Sequence, residues 1–523
     1  MRPIGRRNFL TSGLGWTLAL SGMPVQRARA DAGPIQFGPA QPFDFTALTQ
    51  RAAKLAKHAY VAAKPRAPKV VDTINFDQGQ KIKFRPEYTL WRDGPRRFPV
   101  RFFHLDKFVA LPVRISAIAD GAAREILYSP RFFDYDRTGL QSKLPVDLGF
   151  SGFRVMAGKD SATDWLAFQG ASYFRSSGAE NQYGASARGI AVDTALSTKE
   201  EFPRFVEFWL DEPPDGDPRI TIYALLDGPS LTGAYRFDAR KGRGATIDVR
   251  AELFMRNDIT RLGIAPLTSM YWYGQNAQCH PDWRPQIHDS DGLALSTGAG
   301  EHVWRPLIDP PSVLTNSFFD DNPKGFGLMQ RDRAFADYQD DGAFYNRRPG
   351  IWVEPAAGWG AGAVQLIEIP TNDEIHDNVV AYWLPKRPIK AGDRLPLAYR
   401  LYWQDEEPHP PTDLARVVAT RIGRGGVPGK PEPTDKDARK FVIDFMGGPL
   451  AAMKARYDLK PTVVVSRGTV DNSYVIKVVG TSLWRAFFDV HFTGKDPLDL
   501  RCVLRLGGKP LTETWIYEYL PPT

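Results

Sequence analysis

Three observations predict an all-β protein: one large β-sandwich followed by a small immunoglobulin-like β-sandwich. Short runs rich in aromatic and β-branched residues recur through the 523 residues, each bounded by Gly, Pro, Asp or Asn. Helical periodicity is confined to one segment near the N-terminus. A stretch dominated by Pro, Gly and charge then divides the runs into a long series and a short one.

Taken in order, residues 1–30 read as an export signal. Arg6-Arg7-Asn8-Phe9-Leu10 matches the twin-arginine consensus, an apolar stretch runs from Phe9 to Met23, and Ala28-Arg29-Ala30 fits a small-x-small cleavage site. The apolar stretch is shorter than the roughly 20 residues of a spanning helix, so stable membrane insertion is not expected. The mature chain would begin near Asp31. Asp44 is placed to cap a helix over FTALTQRAAKLAKHAYV, in which Phe45, Leu48, Ala52, Leu55 and Ala59 recur at three- and four-residue steps. The long strand series follows, from RFFHLDKFVALPVRISAI through RITIYALL and ATIDVRAELFM to AVQLIEIP and LPLAYRLYW. Between Glu406 and about Lys440 the composition changes to EEPHPP and RIGRGGVPGKPEPTDKDARK, a boundary or long connection. KFVIDF, PTVVVSRG, SYVIKVVG, WRAFFDVHFTG, LRCVLRLGG and TETWIYEYLP close the chain, six or seven strands as an immunoglobulin-like sandwich requires. The expected domains are therefore 31–411 and 412–523.

Charge and composition narrow the function. The formal net charge of +7 suggests a polyanion partner, but Arg2, Arg6, Arg7, Arg27 and Arg29 lie in the signal, which has no acidic residue, and its removal leaves +2. Nucleic acid is not an expected partner. Two cysteines, Cys279 and Cys502, exclude a disulfide scaffold, a cysteine zinc site and an iron–sulfur cluster. Cys279-His280 with His288 and Asp289 matches no zinc spacing, so no metal is expected, and no dinucleotide or nucleotide loop is present to imply a cofactor. Oligomeric state is not legible; a homodimer is one assembly the sequence allows.

The chemistry concentrates in residues 270–405, where carboxylates and aromatics crowd into segments between strands. MYWYGQNAQCHPDWRPQIHDSDGLAL carries Asp282, Asp289 and Asp291 among Tyr271, Trp272, Tyr273 and Trp283. FFDDNPKGFGLMQRDRAFADYQDDGAFYNRRPGIWVEP, too polar and too long for a strand, carries Tyr345, Arg347, Arg348, Trp352 and Glu354. LIEIPTNDEIHDNVVAYW places Asp373, Glu374 and Asp377 between two apolar strands. Carboxylates across a cleft lined by Trp and Tyr suit glycoside chemistry: one acid protonates the leaving oxygen, a second group activates water, and sugar faces stack on rings. Acidic turn residues that cap strands, and aromatics that fill a core, have the same composition.

YWYG near 271, HDSDGL, DDNPKGFGLMQRDR, FYNRRPGIWVEP, WGAGAVQLIEIPTNDEIHDNVVAYWLP and YRLYW together resemble the osmoregulated periplasmic glucan biosynthesis proteins, G and D, over the whole mature chain. The twin-arginine signal favours a D-like member, exported to the periplasm by the twin-arginine machinery. The resemblance implies a large sandwich of the galactose-mutarotase-like type, then the small immunoglobulin-like domain. It also implies action on a β-1,2-glucan backbone, as an inverting endo-β-1,2-glucanase, with transglycosylation or non-catalytic glucan binding and assembly as the alternatives. Carried over by motif, the general acid falls on Asp377, and Asp289 is the candidate to receive the proton of the attacking water. Tyr345 and Arg348 match cleft-lining positions. Trp352 and Trp383 are expected to stack on sugar, and Asp291 and Glu374 to lie close by in the cleft. A general acid must keep its proton near neutral pH, so Asp377 is expected to have a raised pKa, with Glu374 as the neighbour that raises it.

Overall fold

The computed structural model describes residues 35–521 apart from 93–97, 159, 212–217, 278–281, 428 and 430–437. The export signal and Cys279 therefore lie outside the described residues. No helix among the described residues is long and apolar enough to cross a membrane. The protein is mostly β-sheet, and its contacts divide it into two compact units. The first holds residues up to 266 with 375–377 and 387–403; the second holds 267–374, 378–386 and 404–523.

In the first unit the strands Arg114–Ala119, Arg204–Asp211, Arg219–Asp227, Leu231–Lys241, Ala245–Met255 and Arg394–Gln404 lie side by side, antiparallel except for the first pair. A second sheet runs Ser186–Arg188, Tyr173–Ser176, Asp164–Gln169, Gly152–Met156 and Val100–Phe103. The sheets meet through rings: Phe168 and Phe174 of one lie 5.2 and 5.1 Å from Phe237 of the other. Strand alternation puts Tyr235 and Phe237 on that face and Ala234 on the opposite one. There Ala234, Leu225 and Trp209 receive Leu48 and Ala52 of the helix Phe45–Ala56. Asp44 caps this helix as expected, accepting the Ala47 N–H at 2.8 Å. The central strands are thus covered on both faces, which is why they read as nearly continuous apolar runs.

The run RFFHLDKFVALPVRISAI is two strands, Val100–Phe103 and Arg114–Ala119. Asp106 ends the first, its side chain accepting the N–H groups of Phe108 and Val109 at 2.8 and 2.9 Å, a local turn that competes with the ladder.

The second unit contains Gly350–Pro355, Gly325–Met329, Gly292–Ser296 and His302–Pro306 in antiparallel order. Beside it, Leu314–Asp321, Ala361–Glu368 and Val379–Pro385 pair in succession. The segment expected to be too polar and too long for a strand holds two short ones, Gly325–Met329 and Gly350–Pro355, and the end of a third, Leu314–Asp321, while residues 330–349 between them are in no strand. The misleading signal is glycine: a Cβ at Gly325 or Gly327 would sit 2.5 or 2.9 Å from the Trp352 ring, so these strand positions are bare because a tryptophan lies over them.

The C-terminal strands form the expected immunoglobulin-like sandwich. Arg416–Arg424, Ala438–Met446, Trp484–His491 and Thr469–Lys477 make one sheet; Lys460–Val465, Leu498–Leu506 and Thr514–Tyr519 continue another. Numbered along this segment, the strand orders are 1-2-5-4 and 3-6-7, those of an immunoglobulin constant-type domain. Phe441, Phe488 and Trp515 fill the middle, and Cys502 is a buried free thiol. The last strand also pairs in parallel with His302–Pro306, through Val303 opposite Thr514 and Trp304 opposite Trp515. Backbone pairing within the second unit thus crosses residue 411, the expected end of the large domain.

Candidate functional site

Asp377 belongs to the first unit. It is half-buried and lines a cavity of about 110 Å³ with Phe108, Tyr173, Phe174, Gln169 and Arg175. The rings offer apolar faces, and Gln169, Arg175 and Ser186 offer polar groups, the composition expected of a small-ligand site. None of these partners was legible in sequence. They come from a turn and strands some 200 residues before Asp377, and nothing local distinguishes Tyr173 from the core aromatics around it.

Residue 378 anchors the loop that carries this acid. The Asn378 side chain accepts the Tyr271 N–H at 2.8 Å and donates to the carbonyls of Tyr271 and Ile369, both at 2.9 Å. Its own carbonyl accepts the Ile369 N–H at 2.8 Å, so one buried amide closes the neck of the loop from Ile369 to Asn378. Farther back, Glu368 is wholly buried against Arg305, with two contacts of 2.9 and 2.7 Å. Thr371 N–H donates to Asp309 at 2.9 Å.

Asp289 belongs to the second unit and is 2 % exposed. It follows the ribbon in which Tyr271–Tyr273 pairs with Ile287–His288, and its N–H donates to the Met270 carbonyl at 2.8 Å. The N–H and C=O of the Met270–Tyr271 peptide therefore serve Asn378 and Asp289 respectively. Arg348, 8 % exposed, forms an ion pair with the Asp289 carboxylate and also donates to the Ala343 carbonyl at 3.0 Å. Its guanidinium lies 4.1 Å from the Tyr345 ring centroid. A buried pair of this kind is costly to break, because removing the arginine leaves an uncompensated carboxylate. His288 is enclosed between Gln286 and Gln330, both at 2.9 Å, and burial pushes its pKa down to about 4, so it is neutral. Gln330 also donates to the carbonyls of His288 and Tyr345, tying this ribbon to the turn Tyr345–Arg347.

Tyr345 is 1 % exposed and donates its hydroxyl to Glu374. Glu374 also accepts from Arg284 at 3.0 Å, and Arg284 reaches Asp340 at 2.7 Å and Asp282 at 3.0 Å. Glu374 thus belongs to a cluster of three carboxylates around one arginine. Arg284, unmarked in sequence, could have been found as the basic residue within the acidic segment. Asp291 is half-buried and accepts the N–H groups of Arg331 and Asp332, each at 3.0 Å, which makes it a brace for the loop after Gly325–Met329. Burial raises the pKa of Asp291, and burial together with the Asp291 charge raises that of Asp332.

The two tryptophans expected to stack on sugar are core residues. Trp383 is 0 % exposed with its ring over Gly362, where a Cβ would stand 2.4 Å away. Trp352 is 5 % exposed and covers Gly325 and Gly327. Their faces pack on neighbouring strands, so they have none to offer a ligand. The second unit thus gathers Asp289, Arg348, Tyr345, Glu374 and Asp291 around one ribbon and one loop and leaves both tryptophans outside that group.

Fold and site define a β-sandwich protein whose carboxylates sit among aromatic rings and buried ion pairs. The family model described as periplasmic glucan biosynthesis protein, MdoG, matches residues 43–519, and the chain belongs to that family. It is 48 % identical to glucans biosynthesis protein D 2 of Ralstonia nicotianae, covering 99 % of this chain and 98 % of that protein. It is 46 % identical to glucans biosynthesis protein D of Xanthomonas campestris pv. campestris, again over 99 % and 98 %. The protein of the same name from Stenotrophomonas maltophilia is 45 % identical with the same coverage.

Proposed function

We propose that the protein acts on the β-1,2-linked backbone of periplasmic glucan as an inverting endo-glucanase. Residues 1–30 would direct its export by the twin-arginine route, residues 412–523 would form an immunoglobulin-like domain whose last strand joins the second unit's sheet, and a homodimer is one assembly this reading allows. The observation that supports the reading best is Asp377, a carboxyl half-buried in a cavity walled by Phe108, Tyr173 and Phe174. In that role Asp377 gives its proton to the glycosidic oxygen as the C1–O bond breaks. Water attacks C1 from the opposite face, and its proton passes to Asp289, directly or through water and sugar hydroxyls. Arg348 and Tyr345 hold Asp289 and Glu374 in place. The family's name supports glucan as the substrate class.

The test is digestion of linear β-1,2-glucan by the wild type and by Asp377→Asn, with sizing and proton NMR of the products. The wild type is expected to release short linear sugars whose reducing ends appear first as the α anomer. The variant is expected to lose at least 100-fold in rate, as removal of a general acid does, and still to bind glucan. Unchanged turnover in a folded Asp377→Asn removes that residue from the mechanism. Cyclic or rearranged products would identify a transglycosylase, and intact glucan with the wild type would identify a binding or assembly factor.

A further inference from the structure

The second unit contains a cavity of about 360 Å³ that the proposed chemistry does not use. Its floor is aromatic, with Tyr517 and Tyr519 of the last strand buried beneath it. Trp272, half-buried, forms a wall, its ring edge-on to Tyr273 at 5.4 Å. Two carboxylates stand at the sides. Asp309 accepts the Thr371 N–H at 2.9 Å, and Glu518 accepts from the Asn316 amide at 2.9 Å. Each is oriented by that one donor and keeps lone pairs for a ligand. Among the described residues, no lysine or arginine lines the cavity.

We propose that this cavity is a second saccharide site, which binds a segment of glucan through residues that the C-terminal strand supplies together with the 271–277 segment. The volume is within the range of about 300–1,000 Å³ typical of ligand pockets. Two carboxylates without a basic partner repel anions, which excludes phosphate- or carboxylate-bearing ligands. An uncharged polyhydroxyl chain satisfies both features: its hydroxyls donate to Asp309 and Glu518, and its apolar ring faces lie against Trp272. The identification of that chain as glucan rests on the proposed function. The immunoglobulin-like sandwich thereby acquires a role, since Tyr517, Glu518 and Tyr519 come from its last strand.

The experiment is calorimetric titration of full-length Asp377→Asn, which prevents cleavage, with a linear β-1,2-linked glucose hexasaccharide. Two binding events per chain are expected. Adding Trp272→Ala, or separately Glu518→Gln, should weaken one of them at least tenfold and leave the other unchanged, with the melting transition checked for each variant. A single event in the parent, two undiminished events in both variants, or a site filled by spermidine instead of the hexasaccharide overturns the proposal. Cleavage by the wild type with only one site defeats this inference and leaves the glucanase reading. Two sites with no cleavage do the reverse.

Discussion

His288 shows how one buried ring couples the site to pH. With its ordinary value near 6.5 and its value in the fold near 4, the unfolded chain binds the extra proton in between. The contribution is complete above about pH 6.5 and is lost as pH falls toward 4, amounting to about 3 kcal/mol at about 1.4 kcal/mol per pKa unit. His288→Gln keeps a neutral hydrogen-bonding side chain between Gln286 and Gln330. Urea unfolding at pH 7 and pH 4.5 should show a smaller acid-side loss for the variant than for the wild type, and equal losses would mean that His288 does not carry the effect. Asp332 works in the opposite sense. Its raised pKa means that the folded state holds the extra proton, so its contribution declines as pH rises through neutrality.

At the scale of the element, the decisive piece is the loop from Ile369 to Asn378. A ten-residue connection rich in polar residues has no core of its own, so its conformation depends on its anchors: Arg305 on Glu368, Asp309 on Thr371, and the Asn378 amide on Tyr271 and Ile369. Asn378→Ala removes three side-chain hydrogen bonds and leaves the Tyr271 N–H and two carbonyls unsatisfied in a buried place. At about 1–3 kcal/mol for each such group, partly relieved by water, the expected loss of stability is about 2–5 kcal/mol. Because the next residue back is Asp377, kcat on glucan should fall more than KM changes. A variant that melts lower but retains wild-type kcat would make Asn378 purely structural.

For the whole molecule, the parallel pairing of Thr514–Tyr519 with His302–Pro306 makes the C-terminal strands part of the second unit's main sheet. A chain ending at residue 411 would expose that edge and uncover Trp304, so it should be recovered as aggregate, whereas soluble, monodisperse material would show that 412–523 is dispensable for folding. Much of this architecture was legible in the sequence: the Asp44-capped helix, the all-β character and a C-terminal series of six or seven strands all follow from local pattern, since periodicity and turn residues act over a few positions. The same is true of the acidic and aromatic segments from which Asp289, Tyr345, Arg348 and Asp377 were drawn. Other features were beyond local pattern. Gly325 and Gly327 looked like loop because the tryptophan that fills their space lies on another strand, and Trp352 and Trp383 looked like sugar platforms because composition does not distinguish a buried ring from an exposed one. Phe108 and Tyr173 joined Asp377, and Arg284 joined Glu374, across tens to hundreds of residues. The sequence by itself determined most of the secondary structure, the family and the residue types available for chemistry, all local or cumulative properties of the chain. Only the tertiary structure decided which carboxylates are braces, which are ion-paired and which line a cavity, because burial and partner choice are set by residues far away in the chain.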